Sequence, residues 1–276
     1  MTQIEIGEGK HARRAYELSD VSIVPSRRTR DADDVELDWH IDAYDLSVPF
    51  VHVGPTTEAV SGGLDVLDLD AAGIAADAGA IREALAPVRD RGGVAAVAVK
   101  PSTAEAVLSV LPKAEIDLLV VLGRVVSAEH VSRTREPLNL KRVVRHLEVP
   151  VIVGGCASYR AALHLMRTGA AGVIVGVDPA SRGVGVPLAT AIADARGARM
   201  RHLDETGVYV QLIAAGGLHS AADVAKAHVC GADAVLINEF ARADVAALSG
   251  ELRRSMATCG YGSLKEFQNA DLVVHP

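Results

Sequence analysis

The side chains best placed to do chemistry in this sequence stand where apolar runs end. Lys100 closes the run GVAAVAVK, and an ammonium there can serve as an electrophile or, once desolvated, as a base. Asp68 interrupts the run VLDLD, with Asp70 two residues on, and is placed to act as a general base near that lysine. Glu239 follows AVLIN and is the third candidate catalytic group. Arg124, just after LLVVLG, offers a guanidinium fork for a carboxylate. His52, Asp178, Arg182, His219 and Asn238 complete the candidate ligand-binding set. A mixture of acids and bases at run ends suits proton transfer on a small molecule. The competing expectation is that these charges pair with one another and with water. No HxH, HExxH or clustered Cys/His spacing occurs, so no metal site is expected, and no cofactor is assigned. The glycine pairs of VIVGGCAS and IAAGGLHS could offer N–H groups to an anion, although tight turns explain them equally well.

The apolar runs that carry these residues are strands. Eight follow one another: VPFVHV, GLDVLDL, GVAAVAVK, IDLLVVLG, PVIVGG, AGVIVGV, YVQLIAAGG and DAVLINEF. Segments with apolar spacing near 3.6 separate them, among them AIREALAPVRD, AEAVLSVLPK, NLKRVVRHLEV, YRAALHLMRTG and SAADVAKAHVCG. Eight β/α units in 276 residues point to a single (β/α)₈ TIM barrel over 48–276, without a CBS domain; an open doubly wound sheet is the fallback. Residues 1–47 read as an irregular N-terminal arm. Its Arg27, Arg28, Arg30 cluster and the following Asp31, Asp33 and Asp34 suggest a solvated stretch. Ligands of such barrels meet the C-terminal ends of the strands, which is where the candidate residues fall.

Composition sets the boundaries. Hydrophobic residues make up 49% and aromatics only 3%, so the core must be aliphatic, as suits a parallel sheet buried on both faces. A formal charge of -7 argues against nucleic acid or an anionic membrane as partner. No apolar run is long enough to span a bilayer, and the first residues lack an apolar signal core. Cys156, Cys230 and Cys259 lie far apart and fit small buried thiols of a cytoplasmic protein.

From residue 150 the text PVIVGGCASYRAALHLMRTGAAGVIVG resembles the IMP dehydrogenase/GMP reductase superfamily, and within it the IMP dehydrogenase-related branch common in actinobacteria. The likeness is collinear with ARRAYELSDVSIVPSRRTRDADDV near the start, VVSAEHVSRTREPLNLK, GVGVPLATAIADARGARMRHLDETG, DVAKAHVCGADAV and LRRSMATCGYGSLKEFQNADLVV.

The resemblance implies chemistry that this sequence does not repeat. Its members carry a cysteine in the loop after the sixth strand, whose thiolate attacks the purine before a cofactor hydride step. The corresponding text here, VGVDPASRGVGVP, is shorter and holds Asp178, Ser181 and Arg182 but no cysteine. Members end the seventh strand in Asp-Gly-Gly to hold the ribose; here Ala215 precedes the glycines. Their Gly-Ser phosphate site after the eighth strand corresponds to Asn238 and Glu239. Their long flap before the last helix has little counterpart, and the Pro-Met-Asp turn reads Pro55-Thr56-Thr57. The expectation is therefore a barrel repurposed for a non-nucleotide small molecule and for acid–base chemistry of the isomerase, cyclase or lyase type. A catalytically silent binding partner and a residual purine-nucleotide oxidoreductase are the alternatives. Assembly as a homo-oligomer, a tetramer by resemblance, or together with an intact relative, is the expectation for partners.

Overall fold

The computed structural model describes residues 3–57, 60–133, 138–177, 183–238 and 244–275. Eight parallel strands close into a barrel: β1 (Phe50–Gly54), β2 (Leu64–Asp68), β3 (Ala96–Val99), β4 (Leu118–Leu122), β5 (Val151–Cys156), β6 (Gly172–Val175), β7 (Gln211–Ala214) and β8 (Ala234–Leu236). This is the single (β/α)₈ barrel expected, with all eight strands where the aliphatic runs lie. Alternate residues divide between two cores. Val51, Val53, Val66, Val120, Ile152 and Ile213 fill the interior, whereas Phe50, Leu67, Leu119, Val153, Val173 and Leu212 pack outward under the helices.

The helices are α1 (Ala78–Asp90), α2 (Ala104–Val107), α3 (Leu140–His146), α4 (Tyr159–Met166), α5 (Leu188–Thr206), α6 (Ala221–Cys230), α7 (Val245–Cys259) and α8 (Leu264–Phe267). Side chains of Asp77, Asn139, Ser158, Ser220, Asp244 and Ser263 cap six of them by accepting from first-turn N–H groups. The helical spacing of AEAVLSVLPK is realised only in part. After the single turn of α2 the chain tightens into a 3₁₀ turn at Leu111–Ala114, because Pro112 has no N–H with which to continue an α ladder. The short β1–β2 connection shows no helix among its described residues.

The arm departs from a solvated stretch. The charged residues of the 27–34 cluster are exposed, as are Glu36, Asp38 and His40, but Val35, Leu37, Trp39 and Ile41 alternate with these last residues and are buried. The last two belong to a hairpin, Trp39–Ile41 paired with Tyr44–Leu46, that plugs the N-terminal end of the barrel and joins the interior core. There the Trp39 indole N–H donates to Gln211 Oε1 at 3.2 Å. An upstream strand, Val21–Ile23, pairs antiparallel with Leu272–Val274, which joins the arm to the last described strand. Arg27 stacks over the Tyr261 ring at 4.3 Å and Arg30 donates to the Gly260 carbonyl.

At the same end of the barrel lies a buried ionic network. Arg199 on α5, 1% exposed, pairs with Asp233 just before β8 at 2.5 Å. The other oxygen of Asp233 accepts from the Tyr209 hydroxyl at 2.8 Å and from Gln268 Nε2 at 2.9 Å. The carboxylate is therefore satisfied from α5, the start of β7 and the residue after α8.

Candidate functional site at the barrel mouth

Among the described residues, strand ends line two cavities at the C-terminal face. The first, about 470 Å³, opens between the loops after β6 and β7. Gly176, at φ 140°, lets β6 and β7 approach so closely that an added Cβ would lie 1.8 Å from the Ala215 carbonyl. Gly216 and Gly217, at φ 78° and 65°, turn the backbone along the cavity floor. Residues Glu17, Leu18 and Ser19 of the arm form another wall. The Glu17 carboxylate accepts from the backbone N–H of Leu188 at 2.9 Å, so the amino end of α5 is already occupied by an anion. Arm and helix are further laced by Tyr16 N–H to Thr190 Oγ1 at 2.7 Å and by the Arg13–Asp194 ion pair. Asp223, also lining the cavity, accepts from the His219 N–H and the Ser220 hydroxyl. Among the described lining residues there is no lysine or arginine.

The second cavity, about 870 Å³, lies across the mouth between the loops after β3 and β4. Lys100, Arg124 and His130 line it, against mostly apolar walls that include Leu122, Val126 and Leu138. Asp70 sets the β3 loop, accepting from the backbone N–H of Lys100 at 3.0 Å and from the Thr103 hydroxyl at 2.9 Å. The Lys100 ammonium itself makes no ion pair among the described residues. Glu105, the carboxylate among the described lining residues, is paired with Arg142 at 2.6 Å. The described linings of the two cavities thus differ, one carrying acidic side chains and the other basic ones.

Of the residues chosen from sequence, Lys100 and Arg124 come together in the basic cavity and His219 lines the acidic one. Asp68 lines neither; its carboxylate accepts from the Ala71 N–H at 3.0 Å and shapes its own turn, so it is Asp70 that reaches the lysine, and only through backbone. His52 does not face the mouth. Val51 and Val53 point into the barrel, so the residue between them points out, where its Nδ1 lies 3.4 Å from Asp65 Oδ1 on the neighbouring strand. Asn238 is also committed elsewhere. Its Oδ1 accepts from the Val53 N–H at 2.9 Å and its Nδ2 donates to the Val53 carbonyl, so the side chain continues the β8–β1 ladder beyond the end of β8. Asp178, Arg182 and Glu239 lie outside the described residues. Glu17 and His130 were not among the candidates: the first sits in the arm read as solvated, the second in a loop without periodicity.

The three cysteines are buried. Cys156 is the one next to a strand end, yet it belongs to the outward core under the helices, and burial pushes its thiol up to about 12. Cys230 is likewise pushed up to about 12, and Cys259 is raised by the same cause.

A family model described as IMP dehydrogenase / GMP reductase domain matches residues 83–246. This chain belongs to that family. Similar members include a protein named uncharacterized oxidoreductase from Mycolicibacterium smegmatis, 38% identical over 373 residues, covering 98% of this chain and 99% of the relative. Another of that name from Mycobacterium tuberculosis is 39% identical over 375 residues with the same coverage. The inosine-5'-monophosphate dehydrogenase of Methanocaldococcus jannaschii is 33% identical over 140 residues, 47% of this chain and 26% of that protein. Among solved structures, an IMP dehydrogenase/GMP reductase-like protein from Corynebacterium glutamicum superposes with a TM-score of 0.84 at 34% identity, over 99% of this chain and 98% of that one. The mycobacterial alignment has 373 positions, whereas this family member has 276 residues, so the relative carries chain that it lacks. Among the described residues no helix is long and apolar enough to cross a membrane, and no group of three or more His, Cys, Asp or Glu is placed to hold a metal ion.

Proposed function

We propose that this barrel performs acid–base chemistry on a non-nucleotide small molecule rather than hydride transfer on a purine nucleotide. The observation that carries the reading is the charge of the cavity between the β6 and β7 loops. A phosphate there would meet Glu17 and Asp223 with no lysine or arginine among the described walls. One carboxylate about 4 Å from a phosphate charge costs roughly 4 kcal/mol at a near-surface effective dielectric. That is on the order of a thousandfold in affinity. The amino end of α5, a natural anion seat, already holds Glu17.

Two further facts support the reading. A covalent purine adduct needs a thiolate, and burial holds Cys156 protonated far above neutral pH. The chain is also shorter than its mycobacterial relatives, and the sequence at 175–187 holds no cysteine. The name oxidoreductase borne by those relatives favours the alternative, a retained purine-nucleotide reaction. Thermal denaturation separates the two. IMP and GMP should leave the midpoint unchanged, while a screen of non-nucleotide metabolites should contain one that raises it by mass action. A saturable rise with IMP or GMP would contradict the proposal.

A further inference from the structure

The described lining of the first cavity carries Glu17 and Asp223, whereas that of the second, across the mouth, carries Lys100, Arg124 and His130. We propose that the cavity between the β3 and β4 loops binds a small carboxylic acid with an apolar body, with Lys100 as its principal charge partner. This deepens the function proposed above and rests on it.

Three observations carry the inference. The first is an uncompensated charge: the Lys100 ammonium has no ion-pair partner among the described residues, although Asp70 lies close enough to bind its backbone N–H at 3.0 Å. That bond and the one to Thr103 fix the loop from which the side chain extends into the cavity. The second is the sign of the surroundings. Arg124 and His130 also line the cavity, and the carboxylate of Glu105 is paired with Arg142 at 2.6 Å. Among the described lining residues an anion entering here therefore meets no carboxylate without a cationic partner.

The third is the shape and polarity of the rest. Leu122, Val126 and Leu138 line the cavity, and Val184 of the loop after β6 reaches it from the other side. At about 870 Å³ it is within the usual range for small-molecule sites, which combine apolar walls with a few charged groups. A carboxylate matches the lysine point charge. The helix beside the cavity, α2, is a single turn and brings no extended amino end for a polyphosphate. Carboxylate and apolar body together satisfy both halves of the lining, which a dinucleotide with its paired phosphates does not.

The test uses the full chain and calorimetric titration with phenylacetate, phenylpyruvate and 4-methylpentanoate. Phenylacetamide serves as the uncharged isostere of phenylacetate, and inorganic phosphate as an anion without an apolar body. At least one of the three acids should bind, the amide and phosphate at least tenfold more weakly. Lys100→Met should weaken that acid about tenfold, the effect of losing one charged hydrogen bond worth about 1.4 kcal/mol. Lys113→Met, the same charge change on an exposed turn outside the cavity, should leave it unaffected. Lys100 is exposed, so both variants should unfold at the wild-type midpoint, and that measurement guards against misfolding. Binding of none of the acids, equal binding of acid and amide, or an unchanged affinity in Lys100→Met would each overturn the assignment. Those failures are distinct from failure of the broader reading, whose mark is a response to IMP or GMP.

Discussion

Asn238 shows how a side chain at a strand end can be spent on the scaffold. β8 contributes only Val235 and Leu236 to its register with β1, and the Asn238 amide supplies two further bonds to the Val53 backbone. Asn238→Ala would leave a backbone donor and acceptor at the barrel seam without those partners, at a cost of about 1–3 kcal/mol. Urea denaturation should show a lower midpoint by that amount with an unchanged slope. His228 makes a second residue-scale prediction. It is fully buried on α6, its Nδ1–H donates to the Ala232 carbonyl at 3.0 Å, and burial lowers its pKa from 6.5 to about 4. The unfolded chain then binds a proton that the fold does not, so stability falls as pH drops from 6.5 towards 4 and is flat above. The loss amounts to roughly 3 kcal/mol over that window. His202, also lowered by burial, acts in the same direction. Denaturation midpoints at pH 7 and pH 4.5 should diverge in the wild type and diverge less in His228→Gln. Why Lys100 and Arg124 were legible, and His52 and Asn238 misplaced, follows from the same scale. A charge just past an aliphatic run must leave the strand core and so falls at the mouth. Which face a mid-strand histidine takes depends on the register of the whole barrel, and whether an amide faces a ligand or a neighbouring backbone depends on a contact 185 residues away in the chain.

At the scale of elements, the barrel strands were legible because parallel strands buried on both faces need unbroken aliphatic runs, and β5 is buried at every one of its six residues. The arm was not, because its hairpin buries alternate residues between exposed charges, and its target is the barrel end rather than anything local in sequence. Likewise the break after α2 was hidden by correct helical spacing on either side of Pro112. The Arg199–Asp233 pair joins several of these elements at the end opposite the cavities. Asp233→Ala would strand a guanidinium that is 1% exposed, a change that costs about 3–5 kcal/mol when one partner of a buried pair is removed. A fall of that size in denaturation free energy is expected. A change below 1 kcal/mol would mean that Tyr209 and Gln268, not the carboxylate, satisfy the arginine.

For the molecule as a whole, the decisive property is the separation of charge across the mouth. Strand ends after β6 and β7 meet the acidic arm at Glu17, while those after β3 and β4 present Lys100, Arg124 and His130. The family scaffold is retained over nearly the full chain, and the proposal concerns only the chemistry at its mouth. The measurement that bears most directly on this account is turnover of IMP with NAD⁺, and of GMP with NADPH, followed through the absorbance of the reduced nicotinamide. The account predicts no rate above that of the nucleotides without protein. A steady rate proportional to protein concentration would contradict it.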